Sequence, residues 1–490
     1  MSISYRKQAG ALITGQMVSL ALSFVLPLIL VRVLNQTDYG LYAQFNVILS
    51  FCSVFFSFGF SSELYYSYPL AQPAERRILI FQSLAMLFVA GVLALGILCL
   101  PVVKENIISD ETFSDNYIYL LLSVWLSVPE ILITALYVLN HDHLTSALFL
   151  PSMTLLRVGL IFLFYWQNPT VESVFLAITA SVIIKFVYVL YYVGRLIKKH
   201  PGVCLFDRVI LKNQLKYSLP LGLASSTRVL VQQLDRLIIL SFVSPALYAI
   251  YSIAFYGVPG LNQVYLSISQ VYIPRMATAF KQNDSVGVIG LYHSMVTKTL
   301  SYTVPIVLVI ILFADPIIPY VFSEKYIASI PYFQIYLLTF IVSSVGCGNI
   351  LRATGETKKS LMAYIYTAVF LVPFTYFAIK FFSLNGAITA ATAGAILPKV
   401  LLSIYDARAI GVRLGRLFPW AQIGRIFTTS FACLIPFILG YYFFGHHNFW
   451  LSLCWIAAYL LLAFALQMYY GVFIISYDDL RRYLGRFIKI

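Results

Sequence analysis

The chain has 490 residues, of which 60% are hydrophobic and only 11% are charged, and its formal net charge is +14. Soluble proteins carry about 25% charged residues, so this composition excludes a soluble enzyme or binding domain. The apolar residues fall in continuous blocks of about twenty, the length that an α-helix needs to cross the hydrocarbon core of a bilayer. They do not form the short alternating segments of a membrane β-barrel. The sequence therefore predicts an all-α polytopic membrane protein.

Hydropathy predicts about fourteen transmembrane helices along the chain. The first seven are residues 11–33, 41–60, 78–103, 117–140, 144–166, 171–194 and 215–243. The other seven are residues 246–273, 296–313, 331–350, 361–380, 387–405, 426–444 and 450–473. The second and eighth are the least regular, because polar residues, Gly and Pro interrupt them. The first has too long an apolar core for a cleaved signal peptide, so we expect it to remain a helix.

The positive charges are distributed unevenly between the predicted loops. Placing the N-terminus in the cytoplasm puts about 23 of the 33 Lys and Arg residues on cytoplasmic segments, as the positive-inside rule requires. An even number of spans puts both ends on the same side. We therefore predict a multi-pass protein of the inner (plasma) membrane with both termini in the cytoplasm. The net charge then reflects topology and contact with anionic membrane lipids, and it indicates no nucleic-acid partner.

Motifs for metal binding or catalysis are sparse. Five of the six cysteines fall inside predicted spans and no CxxC pair occurs. The His141-Asp142-His143 run falls on a short cytoplasmic turn without further ligands. Phosphate-binding glycine loops, HExxH and a nucleophile elbow are absent, and the outer loops are too short for a catalytic domain. We expect no metal, no cofactor and no enzymatic activity.

Two sequence matches in nearly one register indicate an internal repeat. Residues 34–42 read LNQTDYGLY and residues 243–251 read VSPALYAIY, at a shift of 209. The run Ala-Ile-Thr-Ala occurs at 177–180 and again at 387–390, at a shift of 210. These matches predict two six-helix lobes, 1–200 and 201–412, followed by two appended helices and a basic cytoplasmic tail at 413–490. Because six is even, the lobes would be parallel repeats.

Ionisable residues inside the predicted spans are the candidate site residues. Each charge at the middle of a bilayer costs roughly 3 kcal/mol on insertion scales, so these side chains are expected to face a wet interior or to reach the interface. On the seventh span, Arg228, Gln232 and Asp235 stand at i, i+4 and i+7 and share one helix face. Arg157 adds a further cation that is hard to explain by reaching the interface.

Other candidates lie nearer the ends of spans or have a packing explanation. Lys185 and Lys399 are close to the predicted ends of spans six and twelve, where a lysine can extend to the interface. Gln16 begins a polar stripe on the first span that either lines a cleft between the lobes or serves helix packing. Glu130, beside Pro129, and Asp235 are the candidates for coupling transport to H+ or Na+.

Several short motifs carry a resemblance to a known family. They are RVL at 32–34, YGLY at 39–42, LPL at 219–221, DRLII at 235–239 and YAIY at 248–251. With these motifs and the number and spacing of its spans, the chain resembles the polysaccharide biosynthesis flippases of the Wzx type, in the MOP superfamily that also holds MATE exporters and MurJ. It departs from the family pattern at Ala249, where the family usually has glycine.

The resemblance implies a function that the motifs alone do not establish. It implies a transporter that flips an undecaprenyl-diphosphate-linked oligosaccharide across the cytoplasmic membrane by alternating access, for lipopolysaccharide or capsule assembly. It also implies a polysaccharide polymerase and chain-length machinery as partners. Arg and Lys in a central cavity would suit the anionic diphosphate. The alternative on the same architecture is an ion-coupled multidrug or other small-molecule antiporter of the MATE type.

Overall fold

The computed structural model of the protein describes residues 3–107, 110–140, 142–202, 204–444 and 449–471. All regular secondary structure in these ranges is helical, which confirms the all-α prediction. The described chain divides into two compact units. The first unit is Met1–Ser252 with Ala368–Ala391, and the second is Ile253–Thr367 with Thr392–Ile490. The predicted lobes 1–200 and 201–412, with the appended pair at 413–490, stay a prediction.

The helices follow the predicted spans and extend past most of their ends. Before the second unit begins they are α1 (Ile3–Val33), α2 (Gln36–Phe55), α3 (Phe60–Leu70), α4 (Pro73–Leu98), α5 (Pro101–Ile107), α6 (Glu111–Asp115), α7 (Tyr117–Glu130), α8 (Leu132–Leu139), α9 (His143–Gln167), α10 (Val171–Lys199) and α11 (Arg208–Ile238). They continue as α12 (Pro245–Ala254), α13 (Leu261–Lys281), α14 (Ser285–Leu312), α15 (Ala314–Val321), α16 (Ile330–Ser344), α17 (Asn349–Thr354), α18 (Thr357–Ala409), α19 (Leu414–Leu417), α20 (Trp420–Phe444) and α21 (Phe449–Tyr469).

Ten helical segments of the described chain are long and apolar enough to cross a membrane. The predicted count of about fourteen is therefore not confirmed, although the predicted segments are mostly helical where the structure describes them. The shortfall has physical causes. Charged and amide side chains crowd α11, α12 and α13 are separated by a break, and the segment Lys358–Ala409 counts once although two spans were predicted there. On α1 only the apolar stretch Met17–Val33 has described side chains, and it is shorter than a full span.

The long helix α18 turns back on itself. Ser383 interrupts it with φ 50° and ψ −125°. A Cβ atom on Gly386 would lie 1.9 Å from the carbonyl oxygen of Ala378 on the preceding arm. A continuous helix, which rises 1.5 Å per residue, would hold these two residues far apart. The chain therefore forms a tight helical hairpin here, and the closeness of the arms requires glycine.

Breaks occur in both spans that the sequence marks as irregular. In the second span α2 ends at Phe55 and α3 begins at Phe60, with Gly59 at φ 73°. Gly222 of α11 packs onto this break, where a Cβ would lie 2.4 Å from the carbonyl oxygen of Phe58. Ser226 of α11 donates to the freed carbonyl of Phe55 at 2.7 Å. Helix α11 thus supplies the hydrogen bond that the interrupted helix lacks, which membrane interiors demand.

Each unit packs around its own buried core. In the first unit α10 packs against α7 and α9, α4 against α7, and α1 against α9. In the second unit α14 packs against α13, α16, α20 and α21. Fully buried side chains at the centre of the second unit include Met276, Tyr292, Met295, Ile350 and Tyr459. The polar side chains described next are held on these packed helices.

Candidate functional site

Three predicted site residues come together inside the first unit. The Nζ atom of Lys185 on α10 lies 2.6 Å from Oε2 of Glu130 on α7. Arg157 on α9 is half-buried and lies close enough to Glu130 to interact with it electrostatically. Two cations and one carboxylate leave this cluster with a net charge of one positive unit. The sequence named all three residues but gave no indication that they belong to one site.

Glu130 occupies the end of an interrupted helix within the span Tyr117–Leu139. Pro129 has no N–H and its ring disturbs the preceding turn, so α7 ends at Glu130 and α8 begins at Leu132. The Glu130 side chain is only 5% exposed, whereas Lys185 is 31% exposed. The Oε1 atom of Glu130 has no hydrogen-bond partner among the described residues. The carboxylate therefore keeps unused capacity to accept a hydrogen bond.

Arg157 is held by an amide that the sequence analysis did not identify. Its Nη2 atom donates to Oδ1 of Asn46 on α2. Asn46 in turn donates through Nδ2 to the carbonyl of Tyr42 at 2.8 Å. Because this carbonyl can only accept, the amide must turn its oxygen to the guanidinium. Within the described part of the chain the buried Nε of Arg157 has no partner, so one N–H remains for a ligand.

Lys185 lies elsewhere in its helix than predicted. Hydropathy ended the sixth span at residue 194, but α10 continues to Lys199. Lys185 is therefore near the middle of a 29-residue helix and not near its end. The difference arises because hydropathy follows the apolar run, whereas the helix continues through the polar residues that follow. Its ammonium group pairs with Glu130, so reaching the interface is not needed to explain this lysine.

The three residues predicted to share a face of α11 differ in burial. Asp235 is buried and accepts a hydrogen bond from the Tyr251 hydroxyl at 2.7 Å. Arg228 is half-buried and Gln232 is exposed. Arg228 forms no ion pair within the described residues. On this face of α11, only the Asp235 carboxylate is held by a described side-chain hydrogen bond, from Tyr251. Binding of one ligand by all three residues stays a prediction.

The remaining candidates are in different places. Lys399 is half-buried in the second unit and interacts electrostatically with Asp406. The side chain of Gln16 lies outside the described residues, as does His141 of the rejected metal motif. Next to Gln16 on α1, Ser19 shares a hydrogen bond with Thr154 of α9 at 3.0 Å. At that position the polar stripe of the first span contributes to helix packing. No cluster of three potential metal ligands occurs in the described chain.

Two buried carboxylates escaped the sequence analysis. Asp406 is fully buried and accepts from the backbone N–H groups of Gly348 at 2.6 Å and Leu351 at 2.9 Å. Glu63 is 2% exposed on α3. Each lies just beyond the predicted end of a span but inside the actual helix. Extending each predicted span until a turn signal appears would have found both residues.

Solved structures with the same fold are transporters. Lipid II flippase MurJ in an inward closed conformation matches with a TM-score of 0.72 and 14% identity, over 93% of this chain and 98% of that one. The eukaryotic MATE transporter AtDTX14 matches with a TM-score of 0.59 and 14% identity, over 84% of this chain and 97% of that one. A MOP superfamily transporter from Pyrococcus furiosus is described as having a binding pocket of reverse polarity. It matches with a TM-score of 0.52 and 15% identity, over 83% of this chain and 96% of that one.

The membrane helices and this likeness define the class, a multi-pass membrane protein with the fold of the MOP superfamily of transporters. No curated protein sequence matches the chain. The family model of the polysaccharide biosynthesis protein matches residues 5–280, which is more than half of the chain. The chain belongs to the polysaccharide biosynthesis protein family.

Proposed function

We propose that this protein flips an undecaprenyl-diphosphate-linked oligosaccharide across the cytoplasmic membrane by alternating access, for assembly of lipopolysaccharide or capsule. Its family membership supports a role in polysaccharide biosynthesis. Its fold is shared with a flippase of lipid II. The proposal places both termini in the cytoplasm and makes a polysaccharide polymerase and chain-length machinery its partners.

The observation that carries this proposal is Arg157 with its unused N–H. A diphosphate has about two negative charges, and removing them from water requires charged hydrogen-bond donors. Arg157 offers such a donor on a membrane helix, where an unneeded charge would be costly. Asn46 fixes the guanidinium in place, so little rotamer freedom is lost when an anion binds. We propose that Arg157 contacts a phosphate oxygen during transport.

Further contacts in the proposal come from the other predicted residues. Lys185, Arg228, Gln232, Asp235, Lys399 and Gln16 are proposed cavity residues for the headgroup. Glu130 and Asp235 remain proposed sites of ion coupling. Of these, Glu130 has the stronger geometric support, because its pairing with Lys185 leaves one carboxylate oxygen unused.

The proposal is tested by complementation of a flippase-deficient strain. We expect Arg157→Gln to lower surface glycan roughly tenfold or more, since a charge-assisted hydrogen bond contributes about 1.5–3 kcal/mol, and to leave lipid-linked oligosaccharide on the cytoplasmic face. Arg157→Lys should retain part of the activity because it keeps the charge. The matched control is Arg208→Gln, which alters an exposed arginine at the start of α11. Full complementation by Arg157→Gln at normal membrane levels would contradict the proposed site.

An ion-coupled antiporter of the MATE type is the alternative, and its carboxylates would be Glu130 and Asp235. The positive sign of the Arg157 cluster disfavours organic cations as substrates. We expect cells that overproduce the protein to show unchanged efflux of a cationic dye. Efflux that depends on Glu130 would support the antiporter.

A further inference from the structure

A second polar site in the first unit centres on Glu63. This residue lies on α3, within the candidate span Gln36–Leu70, and only 2% of it is exposed. Helix α3 packs against α4, α8 and α11. A carboxylate in such a place is costly unless it is paired with a cation, coordinates one, or is neutral. The contacts of Glu63 decide between these states.

The described contacts of the Glu63 carboxyl group are with neutral groups. Nε2 of Gln214 on α11 lies 3.2 Å from Oε2 of Glu63 and 3.0 Å from Oγ of Ser83 on α4. The same nitrogen lies 3.4 Å from the carbonyl oxygen of Leu79. That carbonyl can only accept, so the amide nitrogen and not its oxygen faces this cluster.

No cation neutralises Glu63 within the described chain. Ion pairs join Lys185 to Glu130 and Lys359 to Glu356, and neither involves this carboxylate. None of the other ionisable side chains on α3 or on the helices packed against it bonds to its carboxyl group; these are Tyr65, Tyr66, Tyr68, Glu75, Arg76, Arg77, Tyr137, Arg208, Lys212, Lys216, Tyr217, Arg228, Asp235 and Arg236. An ionised Glu63 would therefore be a buried charge without a counterion.

Other polar groups around Glu63 also lack partners among the described residues. Oε1 of Gln214 is buried and has no partner in the described structure, and neither has the hydroxyl of Ser218 one turn further along α11. An ionised carboxylate only adds acceptors, whereas a carboxylic acid supplies one O–H donor. A single additional proton thus removes the buried charge and adds one O–H donor to the site.

We propose that Glu63 is a proton-binding site, at which the carboxylate takes up one proton while the amide of Gln214 donates an N–H to Oε2 of the same group. The two groups lie on different helices, α3 and α11. Separation of these helices would admit water, which solvates the ionised carboxylate and so favours release of the proton. Use of this proton to drive transport rests on the proposed function, whereas the binding itself does not.

The test is infrared difference spectroscopy of the full-length protein in liposomes, recorded between acidic and alkaline pH. We expect a carboxylic-acid C=O band in the wild type that persists at neutral pH and a component of this band that is lost in Glu63→Gln, which keeps the shape of the side chain. Gln214→Leu should keep the band and move it to higher frequency, because the acid loses its amide partner. Glu172→Gln, which changes an exposed carboxylate on α10, is the matched control and should leave the band unchanged.

The results separate the proposal from its rivals. A wild type without a protonated carboxyl band at neutral pH would overturn it, and so would a band of undiminished intensity in a folded Glu63→Gln protein. Replacement of K+ by Na+ should leave the band unchanged, and its loss in Na+ would assign the site to a metal cation instead. If complementation fails while the band is present, the proposed substrate is wrong and the proton site stands. Flipping without the band would refute the proton site alone.

Discussion

At the scale of single residues, the charges inside the membrane matter through their partners. Lys185, Glu130 and Arg157 are visible in the sequence as costly residues within apolar helices. Their contacts depend on residues far away in the chain, as with Arg157 and Asn46, which are 111 positions apart. Periodicity describes one helix at a time, so it cannot reveal such pairs. This is why the candidate residues were found and their grouping was not.

The Glu130–Lys185 pair predicts a non-additive effect on stability. Removing one partner of a fully buried pair leaves an uncompensated charge and costs about 3–5 kcal/mol, whereas replacing both often costs little. Because Lys185 is 31% exposed, we expect a cost below that range here. We expect Lys185→Met to lower the melting temperature of the purified protein markedly and Lys185→Met with Glu130→Gln to recover most of the loss. The measurement is a thermal double-mutant cycle in detergent. Additive losses would show that the two side chains do not stabilise each other.

At the scale of helices, close backbone approaches determine where elements meet. Gly40 is on α2, and a Cβ atom there would lie 1.8 Å from the carbonyl oxygen of Pro245 at the start of α12. These two positions belong to the matching motifs LNQTDYGLY and VSPALYAIY. The motifs thus pack against each other inside the first unit. Their tyrosines Tyr39, Tyr42, Tyr248 and Tyr251 are all buried.

This contact predicts that Gly40 tolerates no side chain. Gly40→Ala should lower stability by about 1–3 kcal/mol, because the backbone of α2 or α12 must move to admit a methyl group. Gly96 on α4 is the matched control, since a Cβ there meets nothing within 4 Å. Gly96→Ala should be neutral or slightly stabilising through its higher helix propensity. Equal melting temperatures for the two variants in detergent would contradict the close approach.

At the scale of the whole molecule, the distribution of basic residues predicts how the chain is inserted. The segment after the predicted sixth span, residues 195–214, is rich in Lys and Arg and is predicted to be cytoplasmic, whereas residues 104–116 are acidic and predicted to be outside. Each loop has an exposed native cysteine at or near it, Cys204 in the first case and Cys99 in the second. The protein therefore carries its own reporters of orientation.

A membrane-impermeant thiol reagent should distinguish the two sides. On spheroplasts we expect labelling of Cys99 and protection of Cys204, and on inverted vesicles the reverse. Cys99→Ser and Cys204→Ser identify the two signals, and buried Cys52 provides an unlabelled background. Labelling of Cys204 from outside the cell would reverse the predicted topology.

The sequence by itself determined the membrane class, the all-α fold and the approximate helix positions, because water and hydrocarbon act on composition and local periodicity. It also carried the family resemblance that the family model confirms. Only the tertiary structure decided that α2 and α7 break beside polar side chains, that Glu130 pairs with Lys185, and that Glu63 faces Gln214. Those features depend on contacts between distant helices, where burial and the number of available donors and acceptors set the state of each charge.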